Sequence, residues 1–276
     1  MECADLSALS CVLIRRKRRQ VAALQIMSLA TKASLLYDAT LAVLYPQSCA
    51  VCGASVDARA DGVACETCWN TTQAFSGAET ICWKCGVLSL GQIDEQKRES
   101  VRCRRCDQDS FDAARACGLY EGALRAAVLE LKRRAHVPSR LARLLFEASR
   151  RHPLNAATLM IPVPLHPERE RERGFNQAAV LAHSLAKSTG LRCDEHSLIR
   201  SVHTERHRTG MDARARRESV ADAFVVKRPR LIKDQTVLLI DDVFTTGATV
   251  SSCAEKLKAA GAKDVFVLTI ARPQIS

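Results

Sequence analysis

Aromatic side chains are scarce in this chain, at 4% of 276 residues. A surface that grips single-stranded nucleic acid mainly by stacking many bases needs more of them, so that device is disfavoured. Long apolar runs are also missing. The best stretch, around residues 21–46, is broken by Lys32 and Asp38, and no run reaches the roughly 20 residues that span a bilayer. The opening MECADLSALSCVLIRRKRRQ puts its basic run, Arg15 to Arg19, after the apolar stretch, the reverse of a secretory leader. A soluble, cytoplasmic protein with no membrane span is expected. Residues 1–26 read as a basic, disordered extension, with Met27 a credible alternative start, and the pattern SLLYDATLAVLYP reads as a helix over 27–46. A polybasic contact to nucleic acid is the functional alternative for the extension.

Acidic residues are outnumbered, 30 against 41 Lys and Arg, for a net charge of +11. That excess favours polyanions: phosphorylated metabolites, nucleic acid or an acidic surface. With 47% hydrophobic residues, the chain has material for one sizeable core and a smaller module.

Cysteine is abundant. Ten of the 13 fall within residues 1–106, and eight of these form four CxxC pairs: Cys49/Cys52, Cys65/Cys68, Cys82/Cys85 and Cys103/Cys106. A two-residue spacer lets both thiolates of a pair reach one tetrahedral zinc, and two pairs close a four-sulfur structural site, so two Zn2+ ions are expected. A secreted disulfide framework fits less well without a leader, and a redox CxxC needs a strand and helix around it. Cys52 and Cys85 are each followed by glycine, whereas CETCW and CRRCD are not. A glycine-bearing knuckle opening each ribbon gives a sequential pairing, 49/52 with 65/68 and 82/85 with 103/106, over residues 47–110. Sites closed by sulfur on every side fold a module rather than catalyse. Arg102, Arg104 and Arg105 flank the last knuckle, where basic residues either meet a polyanion or simply solvate it. Cys3, Cys11, Cys117, Cys193 and Cys253 have no such partners, and idle or buried thiols are the expectation.

The second concentration of chemistry is VLLIDDVFTTGATV, residues 237–250. Val237 to Ile240 form an apolar run without polar alternation, as in a strand buried on both faces of a parallel sheet. Asp241 and Asp242 stand at its carboxyl end. Thr245, Thr246, Gly247, Ala248 and Thr249 make a small-residue turn, and Val250, Cys253, Leu257 and Ala260 recur at helical spacing. A helix amino terminus at the carboxyl edge of an open α/β sheet is a natural seat for phosphate. Two acids beside it would repel that phosphate, so they are better placed to accept hydrogen bonds from vicinal hydroxyls or help hold magnesium. A phosphorylated sugar satisfies both halves of the motif.

Upstream, ARACGLY reads as a strand and Leu124, Val128 and Leu131 mark a helix with Lys132, Arg133 and Arg134 toward its end. A second helix is expected at 138–150, then a strand TLMIPVP, a loop PERERERG and a helix from Phe175. Arg169, Arg171 and Arg173 in that loop suit a polyanion, although Glu168, Glu170 and Glu172 alternate with them.

IDDVFTTGATV resembles the 5-phosphoribosyl-1-pyrophosphate (PRPP) signature of type I phosphoribosyltransferases. The resemblance implies that Asp241 and Asp242 lie along the ribose hydroxyls as the catalytic pair, and that residues 245–249 wrap the 5-phosphate. It also implies that residues 163–166, with Val163, Pro164 and Leu165, form the pyrophosphate loop under a mobile arginine cover that includes Arg173, and that Mg2+ binds with PRPP. Purine-salvage members carry an aspartate general base where Thr245 stands; threonine cannot take that role near neutral pH. The double knuckle module followed by YEGALRAAVLELK, IPVPLHPERERERGFNQA and LIDDVFTTGAT resembles the ComF family over residues 27–272. That family's link to competence implies single-stranded DNA and DNA-uptake or helicase proteins as partners. In HTERHRTGMDARARRESVADAF, Arg216 or Arg217 and Ala223-Phe224 keep the family pattern, while His207-Arg208 stand where glutamine is expected. The segment corresponds to the superfamily's hood over the acceptor, so the acceptor is not carried over, and His203 and His207 read as phosphate-facing or solvated. Together these expectations give an α/β phosphoribosyltransferase-like domain over 112–276, a parallel sheet flanked by helices, behind the double zinc ribbon. A non-catalytic DNA-binding factor on the same fold is the alternative.

Overall fold

The computed structural model describes residues 47–56, 62–77, 79, 82–88, 95–201 and 223–274. The expected extension, the helix over 27–46 and the stretch carrying His203, His207, Arg216 and Arg217 lie outside the described residues. A short helix, α1 (Glu66–Thr71), belongs to the cysteine module. From there each strand is followed by a pair of helices: β1 (Ala113–Leu119), α2 (Gly122–Leu131), α3 (Ser139–Ser149), β2 (Leu159–Pro162), α4 (Pro167–Arg173) and α5 (Gln177–Thr189), then β3 (Arg192–Cys193). They are followed by β4 (Leu198–Arg200), β5 (Phe224–Val226), α6 (Pro229–Ile232), β6 (Thr236–Val243), α7 (Ala248–Ala259) and β7 (Asp264–Arg272).

Five strands form one sheet in the order β1-β7-β6-β2-β3, and every neighbouring pair is parallel. The expected α/β class and helix-flanked parallel sheet are both present. The central strand β6 is apolar without alternation because it has no solvent face. Leu238 and Ile240 join the core under α2, α3 and α5, whereas Val237 and Leu239 join the core under α7. Strand β4 pairs antiparallel with β5 outside this sheet, and there Phe224 is buried with the Arg200 guanidinium 5.5 Å from its ring centre.

The charged stretch after β2 departs from the expected loop: PERERER is the helix α4. Pro167 sits in its first turn with Glu168 and Glu170, Arg171 and Arg173 fall in its last turn, and Gly174 closes it in the left-handed conformation. Acids first and bases last complement the helix dipole, so the alternation that looked self-neutralising is helix-forming. The next helix, expected from Phe175, starts at Gln177 because the Asn176 side chain accepts a hydrogen bond from the Ala178 N–H and caps it. The strand expected over TLMIPVP ends at Pro162.

The cysteine module covers the exposed edge of β1. The Ala114 N–H donates to the Lys84 carbonyl, the Phe75 N–H to the Cys117 carbonyl, and the Leu119 N–H to the Gln73 carbonyl. An edge strand with unpaired backbone invites aggregation, and this cover removes the hazard. The module reaches both faces of the sheet. Cys49, Cys68 and Trp69 join the core under α2 and α3, while Cys82, Cys85 and Cys106 join the core under α7. Docking is close enough to need a missing side chain: a Cβ on Gly118 would lie 2.3 Å from the Gln73 carbonyl oxygen and 2.5 Å from Leu124 Cδ1. Gly118→Ala should therefore lower stability by about 1–3 kcal/mol, as overpacking does; an unchanged urea midpoint would show that the module can shift without cost.

Candidate functional site

The direction of the chain changes between β2 and β6. From β2 it moves to β3 on one side, and from β6 to β7 on the other, while β2 and β6 are themselves paired. Crevices outside the carboxyl ends of strands at such a switch point are where open α/β sheets hold ligands. The register fixes what meets there. Pro162 is level with Ile240, and the Val163 N–H donates to the Ile240 carbonyl at 2.9 Å. Residues 163–166 therefore leave β2 beside Asp241 and Asp242.

Strand alternation separates the two acids. Asp242 shares its parity with Ile240 and faces α2, where Lys132 Nζ lies 3.4 Å from its Oδ2. That oxygen is buried and accepts no hydrogen bond. Asp241 shares its parity with Leu239, on the side of α7. One of its oxygens accepts the Asp242 N–H at 2.8 Å. Burial and the neighbouring charge of Asp242 push the Asp241 pKa well above the usual carboxylate range. Two carboxylates held this way call for a cation or a set of donors.

The turn after them is built for close approach. Gly247 has φ of 81° as the cap of α7, and a Cβ there would also meet the Phe244 ring at 2.9 Å. Thr246 Oγ1 accepts from the Ala248 N–H at 3.4 Å. Thr245 is exposed, and Thr246 and Thr249 are half-buried. On the opposite bank, Asn176 Nδ2 donates to the Val163 carbonyl at 3.1 Å, and the Arg173 guanidinium donates to the Gln177 side chain. Val163 is buried and Pro164 and Leu165 are half-buried. The structure thus brings Asp241, Asp242, the 245–249 turn and the 163–166 loop to one end of the sheet. Arg173 is turned to the start of α5. Lys132 and Asn176 complete the site; the first had only its helix-end position to signal it, the second only its place as a cap residue.

The other cysteines fall as paired. Cys49, Cys52, Cys65 and Cys68 form one cluster and Cys82, Cys85, Cys103 and Cys106 a second, with the sulfurs of each within 4.8 Å of one another. Cys52 and Cys65 sulfurs are 3.7 Å apart, and Cys82–Cys106, Cys85–Cys103 and Cys103–Cys106 are each 3.5 Å apart. Four sulfurs at the Zn–S length of about 2.3 Å stand about 3.8 Å apart at the corners of a tetrahedron, so both clusters fit zinc. Cys117 and Cys253 are buried free thiols and Cys193 is a half-buried one; burial pushes the Cys117 thiol up to about 12. Among the described residues no helix is long and apolar enough to cross a membrane.

The Asp241 shift makes a stability prediction. Its proton is held more tightly in the folded state, so its contribution to stability is fully present below the unfolded pKa of about 3.9 and is lost as pH rises through the folded value. Asp241→Asn should therefore raise the thermal midpoint of the ligand-free protein at pH 7, with the gain vanishing toward pH 4. A gain that persists at pH 4, or a loss at pH 7, would contradict the assigned environment.

Residues 40–119 match the double zinc ribbon domain family. Across 218 residues the chain is 30% identical to the DNA utilization protein YhgH of Salmonella typhimurium, covering 75% of this chain and 89% of that one. Competence protein F of Haemophilus influenzae is 28% identical over 217 residues, 75% of this chain and 90% of the relative. Competence protein ComFC of Bacillus subtilis is 36% identical over 106 residues, 37% and 40% of the two chains. Among solved structures, the glutamine PRPP amidotransferase of B. subtilis aligns with a TM-score of 0.35 and 17% identity over 52% of this chain and 30% of its own, a likeness too slight to argue from. The Salmonella typhimurium and Haemophilus influenzae relatives are matched along most of their length, and on that ground the chain belongs to the ComF family.

Proposed function

We propose that the crevice at the switch point binds PRPP with magnesium, and that the protein is a phosphoribosyltransferase-like member of its family acting in DNA utilization. The observation that carries this is the pair Asp241 and Asp242 on β6, followed without interruption by a glycine-capped turn at the start of α7. The turn offers N–H groups and hydroxyls to a 5-phosphate. The half-buried carboxylate of Asp241 accepts hydrogen bonds from vicinal ribose hydroxyls, and Asp242, held by the Lys132 ion pair, adds negative charge beside it. Residues 163–166, fixed by Asn176, face the pyrophosphate. Magnesium, when bound, neutralises pyrophosphate charge and stabilises it as a leaving group. Val163, Pro164 and Leu165 shape that bank, and Arg173 beside Gln177 is a residue of its rim.

Titration calorimetry tests the reading. Wild type should release or absorb heat on adding PRPP with magnesium, and the Asp241→Asn, Asp242→Asn double variant should bind at least tenfold more weakly while remaining folded. Equal affinity in the two proteins would overturn the assignment of the acids.

The names of the relatives, DNA utilization protein and competence protein, together with a net charge of +11, favour a second reading in which the fold serves as a single-stranded DNA-binding factor without turnover. Affinity for an oligonucleotide would then fall steeply with salt and survive the aspartate changes. In both readings the two cysteine clusters hold structural zinc. Metal analysis of protein purified without tags should find about two zinc ions per chain; well under two would remove zinc from the account.

A further inference from the structure

The two cysteine clusters are not equivalent in what they touch. The first packs with α2 and α3, on the face that carries Asp242. The second shares its core with Phe244, Val250 and Cys253, the residues that floor the 245–249 turn and open α7.

Two routes join the second cluster to that turn. Along one, Arg272, the last residue of β7 and only 3% exposed, donates from Nη1 to the Cys85 carbonyl at 2.6 Å. Its guanidinium lies 5.2 Å from the centre of the Phe244 ring. That ring is the atom group which a side chain at Gly247 would strike, so its position sets how deep the turn can lie. Along the other, the Asp109 N–H donates to the Cys106 carbonyl at 3.1 Å, the Ser110 N–H donates to Ser251 Oγ in the first turn of α7 at 2.9 Å, and the Asp109 carboxylate lies 3.5 Å from where a Gly247 Cβ would be. Phe111 meets Phe244 edge-on at 5.7 Å. A cavity of about 70 Å³ between ribbon and turn is lined by Arg105, Asp109, Phe244, Thr245, Thr246 and Arg272, among others.

A buried arginine that donates to a cysteine carbonyl and also lies over an aromatic ring is a rigid link, since the guanidinium is planar and its donors are fixed. We propose that the second four-cysteine site is a positioning element for the 245–249 turn, acting through Arg272 and Phe244, and that the first site is not. Metal in the second site fixes the Cys85 and Cys106 carbonyls; these fix Arg272 and Asp109; these hold the turn in the shape that its ligand meets. The inference rests on the proposed reading only for the identity of that ligand.

Hydrogen exchange of the peptide spanning residues 244–251 tests the link without any ligand. In the metal-loaded protein, Arg272→Met should speed exchange in this peptide at least tenfold, Arg272→Lys should do so less, and peptides of β2 and α3 should be unchanged. Cys103→Ser in the second site should reproduce the effect and Cys52→Ser in the first should not, with zinc content measured for each. An unchanged turn in both Arg272 variants, or equal loosening from either cysteine change, would overturn the proposal. If Arg272→Met fails to fold, Arg272→Lys and the cysteine pair decide. PRPP with magnesium added to the same samples forms a separate arm: affinity should fall with turn protection, whereas absence of binding in wild type would count against the ligand and leave the exchange result standing.

Discussion

The structure depends on a strand that has no solvent face. Strand β6 is paired on both sides and covered above and below, so its side chains must be apolar until it emerges at its carboxyl end. Asp241 and Asp242 end the apolar run at that end, where Asp241 is half-buried and Asp242 still buried. Their parity sends one toward α7 and the other toward α2, and the register with β2 brings a second loop level with them. The site is therefore a consequence of sheet order. Had β2 been placed elsewhere, residues 163–166 would not face the acids.

The acids themselves are costly in the absence of a ligand. Asp241 holds its proton far too tightly for a surface carboxylate, and Asp242 is a buried acid whose Oδ2 has the Lys132 ammonium 3.4 Å away but no hydrogen bond. Strain of this kind concentrates where function needs it, because a ligand that supplies donors or a cation relieves it. The cysteine module adds a different constraint. It closes the β1 edge and contributes to both cores, so it behaves as part of the fold and not as an appended tag, and its second half lies against the turn that the acids precede.

Much of this was legible in the sequence for local reasons. A CxxC spacing and its following glycine constrain a few bonds, and the sequential pairing of the knuckles follows from them. An apolar run ending in two acids and a threonine-glycine turn likewise fixes strand, turn and helix with short-range rules. What failed, or stayed silent, depended on more distant facts. PERERERG looked like a solvated loop because its charges alternate, yet Pro167 at its head and Gly174 at its foot make it helical. Arg173, expected in a mobile cover, is bonded to Gln177. Lys132 meets Asp242 across 110 positions of sequence, and Arg272 meets Cys85 across 187. No periodicity or motif announces such pairs, since they exist only once the sheet has been ordered.

The central claim is that a sugar phosphate sits at the β2/β6 switch point. The most direct measurement is a crystal structure of the protein grown with PRPP and magnesium. The account predicts a phosphate enclosed by residues 245–249, with ribose hydroxyls directed to Asp241 and Asp242 and the pyrophosphate toward residues 163–166. Density for the ligand at any other place, or a clear crevice at saturating concentration, would contradict it.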